Sequence, residues 1–362
     1  MKKINLLFLS LIMLFCAGLM AQTATPPAIG DGSSGSPYQI ATWENLYWIT
    51  QNSGEWGKYY IQTADIDLST ATPAITTWDT NQGWTPIGNS STNFTGSYNG
   101  NGHTISGLYI NRSEDRIGLF GESGLGSVIE NMGVISADIS GDGYVGALIG
   151  WNRGTITNCY STGSVSGDYG YVGGFSGYNL VGSISNCYST CNITGSVSGN
   201  YDYVGGFSGH NDGTVSNCYS TGSVAGVYSV GGFIGGNEGT VSDCYSTGSV
   251  YGSDGVGGLI GYNYTGTVSD CYSTGSVAAL FSVGGLVGAS VDGSVSNCFW
   301  DIETSGQPDS DEGTGKTTAE MKTLSTFNNA GWDFKGEITN GSTEIWNIGN
   351  SRNNGYPYLD WQ

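Results

Sequence analysis

Cysteine recurs along the middle of this chain at Cys159, Cys187, Cys218, Cys244, Cys271 and Cys298, with gaps of 28, 31, 26, 27 and 27 residues. The same text surrounds each one. The copy from Gly239 reads GTVSDCYSTGSVYGSDGVGGLIGYN. A fixed period near 27 residues describes small units stacked on their neighbours, not one globular core.

Each unit offers three extended pieces, VGGLIG, GTVSDCYS and GSVYG, separated by turns. Pieces this short need the same piece of the next unit as a pairing partner. Gly-Gly pairs mark the phase at Gly173, Gly205, Gly231, Gly257 and Gly284, with a divergent first copy at Gly118-Leu119-Phe120-Gly121. The repeat is poor in helix formers and rich in Gly, Ser, Thr and Val, which excludes an α-solenoid. A propeller blade needs about 40 residues, more than this unit holds. The expected fold is therefore all-β: a right-handed parallel β-helix with a small C-terminal cap, each coil rising about 4.8 Å. Glycine supplies 62 of 362 residues, but it is phased with apolar side chains, so the bias is ordered repetition rather than linker.

Four regions follow. Residues 1–21 read as a signal peptide, with Lys2 and Lys3 before an apolar run. Residues 22–116 form a lead-in and the first coils. A short helix is expected from Thr42, with Leu46 and Ile49 on one face, and a strand pair around Asn-Gly turns between Phe94 and Ile110. Residues 117–300 hold the regular coils. One of these reads CYSTCNITGSV, and Cys191-Asn192-Ile193-Thr194 is read as an insertion bulging from a corner. Residues 301–362 form the cap. Thr317 and Glu320 have capping-box spacing, and the aromatic tail is expected to close the last coil.

The formal net charge is -20, and none of the ten basic residues lies between Arg153 and Lys316. Without phosphate-neutralising charge, nucleic acid is excluded as a partner, and an anionic membrane surface is disfavoured. No later apolar run is long enough for a transmembrane span in the mature chain.

The six repeating cysteines are expected to fill a narrow interior as small apolar groups. Cys187 and Cys191 are the pair to consider for a disulfide. A cysteine ladder spreads its sulfurs along an axis, which argues against zinc, and the imidazoles His103 and His210 lie far apart in the chain. Before each Cys stands Asn158, Asn186, Asn217, Asp243, Asp270 or Asn297, a polar corner ladder. Asp243 and Asp270, one coil apart, would repel unless solvated or bridged by calcium. After each Cys stands Tyr160, Tyr188, Tyr219, Tyr245, Tyr272 or Phe299. Neighbours in a strand point to opposite faces, so these rings face outward, to stack on a partner or to pack under a loop. A hydroxyl ladder from Ser161-Thr162 to Ser273-Thr274 runs beside them, turning a corner rather than matching an ice lattice.

Enzyme readings find little support. Acids are scattered rather than clustered, and basic residues are missing from the array. The string Gly313-Thr314-Gly315-Lys316-Thr317 has Ser310 where a phosphate-binding loop needs its first Gly.

The repeated text VGGLIGYNYTGTVSDCYSTGSV resembles the GLUG motif repeat of bacterial surface proteins and of some immunoglobulin-cleaving peptidases. The flanking GNGHTISGL around His103 and the ending Gly355-Tyr356-Pro357-Tyr358-Leu359 resemble the same group. The resemblance implies an exported, adhesin-like β-helix. It implies no catalytic residue, because the His-Glu-x-x-His of the peptidases is missing here. The expected function is non-enzymatic binding at the cell surface or after secretion, to glycans or surface proteins through the Tyr face. The alternatives are a polysaccharide lyase or hydrolase and a spacer without a ligand. No cofactor is expected apart from calcium.

Overall fold

The computed structural model describes residues 22–195, 202–349 and 352–362. The expected signal peptide and part of one coil fall outside the described residues. The chain is a parallel β-solenoid closed by a small C-terminal cap. Among the described residues, strands of successive coils pair in parallel in four sheets, of which one holds ten strands from Tyr38–Ile40 to Ser294–Ser296. The one antiparallel strand pair among the described residues joins Trp346–Asn347 to Tyr358–Leu359 in the cap.

A coil makes five strands rather than three pieces. One coil runs Asp254–Gly257, Ile260–Asn263, Thr267–Ser269, Tyr272–Ser273 and Val277–Ala278. VGGLIG breaks at its glycines, where a Cβ on Gly257 would stand 1.9 Å from the Ile260 carbonyl oxygen. GTVSDCYS breaks at the residue before Cys. Asn158, Asn186, Asn217, Asp243, Asp270 and Asn297 have φ between 52° and 54°. Asn and Asp enter this left-handed conformation more readily than other side chains. The corner itself thus explains their recurrence.

Two other expectations are corrected. The strands Ser97–Asn99 and Thr104–Ser106 do not pair with each other; they join parallel ladders in different sheets. Asn-Gly there turns a coil corner instead of a hairpin. Cys191-Asn192-Ile193-Thr194 is not an insertion either. Ser164↔Asn192, Val165↔Ile193 and Ser166↔Thr194 stay in register. The additional residues of this coil lie between Gly195 and Tyr203, because Gly167 pairs with Gly195 and Tyr171 with Tyr203.

Interior columns hold the wall together. Phe175, Phe207 and Phe233 stack with centroids 4.7 and 4.9 Å apart. Asn152, Asn179, Asn211, Asn237 and Asn263 are fully buried. Each amide donates to the next Oδ1, at 2.8, 2.8, 2.9 and 3.0 Å along the column. Each also bonds a corner carbonyl of its own coil. This amide ladder fixes the corner between the Gly-x-Asn and Thr-Val-Ser strands.

At the N-terminal end, the helix Trp43–Gln51 is capped by Thr42, and Leu46 and Ile49 are buried as expected. At the C-terminal end, the Gly285 N–H donates to the Asp309 carbonyl and the Asp311 N–H to the Val287 carbonyl. These bonds satisfy edges that would otherwise template association. Thr317 and Glu320 form the expected capping box. Thr314–Lys316 extends a sheet beside Phe299–Asp301, so the glycine-lysine string is a strand and not a phosphate loop. Beyond it the cap turns back along the side of the solenoid.

Candidate functional site

The site begins with strand alternation. The chain order Cys, Tyr, Ser puts Cys and Ser inside and Tyr outside. Cys159, Cys187, Cys218, Cys244, Cys271 and Cys298 are all buried. Their thiols finish the corner hydrogen bonding. The Cys187 thiol donates to the Ser185 carbonyl at 3.1 Å, and its sulfur accepts the Cys159 N–H at 3.4 Å. Burial pushes the thiols of Cys159, Cys187, Cys244, Cys271 and Cys298 well above their ordinary range. Cys187 and Cys191 are both free, so the disulfide considered for them is not formed. Cys191 instead occupies the column of Gly222, Gly248 and Gly275.

The hydroxyl ladder splits. Ser161, Ser189, Ser220, Ser246 and Ser273 are buried, not beside the Tyr rings on the surface. Ser161 and Ser273 donate across the interior to the Gly174 and Gly285 carbonyls at 2.8 and 2.7 Å.

Tyr160, Tyr188, Tyr219, Tyr245 and Tyr272 stack face to face, with centroids 4.8 to 5.0 Å apart and ring planes within 7°. The stack is open at one end only. The cap covers Tyr245, Tyr272 and Phe299, which are 2%, 0% and 6% exposed. Those three are the core of the cap interface, with Trp332, Trp346, Phe327 and Tyr356. Further along, Trp361 lies over Tyr219 and Tyr188, at centroid distances of 5.9 and 6.4 Å, and its indole donates to the Asn217 carbonyl. Beyond Trp361 the cap no longer covers the rings: Tyr188 and Tyr160 are half-buried, and Tyr160 lies against Gly133. A groove of about 400 Å³ opens there, lined by Met132, Asn158, Tyr160, Asn186, Tyr188 and Trp361. Burial and the neighbouring rings push the Tyr188 hydroxyl up to about 12. It therefore acts as a neutral hydrogen-bonding group, its two ring faces being stacked on Tyr160 and Tyr219.

Asp243 and Asp270 lie under the cap. Asp243 Oδ1 accepts the Trp346 indole N–H at 3.2 Å, and Asp270 Oδ1 accepts the Asn297 amide at 3.2 Å. Burial first, and then the charge of Asp270, push Asp243 up to about 6. Ionised Asp243 therefore opposes folding. Its stabilising contribution is full below the ordinary value of 3.8 and is lost as pH rises through about 6. At about 1.4 kcal/mol per unit the change is at most about 3 kcal/mol, reduced by residual solvent contact. Asp243→Asn is expected to raise stability by about 1–2 kcal/mol at pH 7.5 and to change little at pH 4, as read by denaturant titration at both pH values. The corner accepts Asn at Asn217, and the Asn oxygen retains the Trp346 bond.

A second aromatic surface, which the Cys-centred reading passed over, runs along other columns. Tyr144, Tyr171 and Tyr203 form one, at 4.9 and 5.2 Å. Trp151, Tyr178 and His210 occupy equivalent positions in the next. Arg116 lies 4.7 Å over Trp151 and pairs with Glu122 at 2.7 Å. The signal was available in the sequence: these residues immediately precede the phased Val-Gly and Asn positions.

With this geometry in place, comparisons bear on ancestry. Residues 141–166, 168–194, 200–225, 226–251 and 252–278 match "The GLUG motif". The chain carries GLUG-motif repeats. It is 38% identical over 159 residues, 43% of the chain, to halomucin of Haloquadratum walsbyi. It is 36% identical over 133 residues, 36% of the chain, to a protein of Evansella cellulosilytica assigned as a Gly-rich membrane protein. The chain spans only 2% and 15% of those two relatives. A solved structure from Bacteroides ovatus, assigned as an immunoglobulin A1 protease, matches with a TM-score of 0.60. The match covers 92% of this chain and 95% of the other at 21% identity, which shows the fold alone. Among the described residues no helix is long and apolar enough to cross a membrane.

Proposed function

We propose that this chain is an exported surface protein that binds a glycan at the open end of its tyrosine stack. The observation that carries this reading is the uncapped groove at Tyr160, Tyr188 and Trp361. It offers the edges of the Tyr160 and Tyr188 rings and the exposed Trp361 indole beside the corner amides of Asn158 and Asn186. Sugar rings present apolar faces for stacking and hydroxyls for amides, and a concave site with a few placed polar groups suits them. The acidic surface favours neutral or cationic ligands over polyanions. Export is supported by the basic and apolar pattern of residues 1–21, and a surface location by the membrane assignment of one relative. Adhesion would follow from many such chains on one cell engaging one polymer.

A glycan array probed with the purified chain, followed by calorimetric titration of the best oligosaccharide, tests this. Tyr160→Ala with Tyr188→Ala is expected to weaken binding about 10-fold or more, since each lost aromatic contact is worth about 0.5–1.5 kcal/mol. Tyr251→Ala, at an exposed ring away from the groove, is expected to leave binding unchanged. Equal binding by the double variant, or no glycan bound at all, would leave the spacer reading in its place.

A further inference from the structure

On the second aromatic surface, three metal-ligating side chains converge. His210 Nε2 lies 2.9 Å from Asp212 Oδ1 and 3.8 Å from Glu238 Oε1. The three ligand atoms all lie within 4.8 Å of one another. The fold places them there by register. His210 and Asp212 flank Asn211 of the buried amide ladder, and Glu238 follows Asn237, the next rung. The Asn211–Asn237 bond of 2.9 Å therefore holds the two carboxylates one coil apart.

The surroundings suit an ion better than a simple ion pair. His210 is only 5% exposed and is walled by the rings of Tyr171, Tyr178 and Tyr203 at 4.9 to 5.5 Å. Asp212 Oδ1 is buried and receives no hydrogen bond, although it faces the imidazole. The other carboxylate oxygen, Oδ2, accepts the Tyr178 hydroxyl, the kind of outer contact that orients a ligating carboxylate. His210 pairs in register with Gly236, where a Cβ would come within 2.5 Å of Nδ1. Glycine there leaves the ring its space. Two donors about 2.0–2.1 Å from a tetrahedral ion stand about 3.3 Å apart, between the two observed separations.

We propose that His210, Asp212 and Glu238 bind one divalent transition-metal ion of the zinc class. One imidazole and two carboxylates make a nitrogen–oxygen set that zinc accepts, whereas calcium prefers six or more oxygens. Three protein ligands leave a coordination position open toward solvent, on the half-exposed Glu238 side. This is a different face from the tyrosine groove, and the inference does not depend on glycan binding.

The test is titration of the chelator-treated full chain with Zn²⁺ by calorimetry, and with Co²⁺ by visible absorption. One ion per chain is expected, with a cobalt band characteristic of four- or five-fold coordination. His210→Gln is expected to abolish both signals. Glu238→Gln changes a half-exposed side chain, so it tests the site without threatening the fold, and it is expected to weaken binding about 10-fold or more. Circular dichroism matching the parent checks that each variant is folded. Absence of one-to-one binding, or unchanged affinity in folded Glu238→Gln, would overturn the proposal.

Discussion

Replacing Asn237 with Leu is expected to lower stability by about 2–6 kcal/mol. The residue is fully buried in the middle of the amide ladder. It accepts from Asn211 at 2.9 Å, donates to Asn263 at 3.0 Å and donates to the Gly239 carbonyl at 3.4 Å. Leu has similar volume but breaks all three bonds in a site water does not reach; Asn263 Oδ1 loses its donor, while the Gly239 carbonyl keeps the Thr267 N–H and the Asn211 amide keeps the Gly213 carbonyl. The orphaned oxygen costs about 1–3 kcal/mol, and each of the other two lost bonds about 0.5–1.5 kcal/mol. The cost cannot be relaxed by a local shift, because an added Cβ on Gly266, at the next corner, would already come within 1.9 Å of the Asn237 amide. Equilibrium urea unfolding followed by circular dichroism measures the loss. Because stacked coils support one another only through neighbours, the transition should also broaden. A change within about 0.5 kcal/mol would mean that the ladder is not closed in solution.

Trp346→Ala is expected to release the cap while leaving the solenoid folded. Trp346 is fully buried, lies 6.2 and 5.9 Å from Tyr245 and Tyr272, and packs 4.6 Å from Trp332. Its indole also supplies the one hydrogen bond from the cap to Asp243 among the described residues. Truncating a buried Trp costs about 3–5 kcal/mol, and all of it falls on one small interface. The expected result is a separate, earlier unfolding transition, with the parallel strands retained. Tyr245 and Tyr272 would then become accessible. A single unshifted transition would show that cap docking rests on other contacts.

The two predictions separate what could be read in the sequence from what could not. The coil, its parallel pairing and the inward Cys were legible because a 27-residue period forces like residues into columns. The outward direction of Tyr followed from strand alternation, and the same rule applied one residue further places Ser161 and its equivalents inside. The five-strand coil was hidden because an Asn or Asp corner looks like strand text until its positive φ is known. The amide ladder from Asn152 to Asn263 was passed over, although IGWN, SGYN, SGHN, IGGN and IGYN share Gly and the final Asn, because the phase was taken from the Cys and Gly-Gly positions.

The binding face was the least legible part. All six aromatic positions look equivalent along the repeat, yet contacts with residues far later in the chain separate them, as between Tyr245 and Gln362, 117 positions apart. A period describes neighbours within the stack and carries nothing about where a non-repeating tail returns. The His210, Asp212 and Glu238 cluster was missed for a related reason. It forms across a coil boundary, from residues that are not repeated.

Hydroxyl-radical footprinting of the intact chain, resolved by mass spectrometry at each tyrosine, tests the half-covered stack most directly. Tyr160 should be modified readily and Tyr188 partly, beside freely oxidised Tyr251 as a reference, while Tyr245 and Tyr272 stay protected. Uniform oxidation from Tyr160 to Tyr272 would contradict the account, because it would mean that the tail does not close one end of the column and leave the other open.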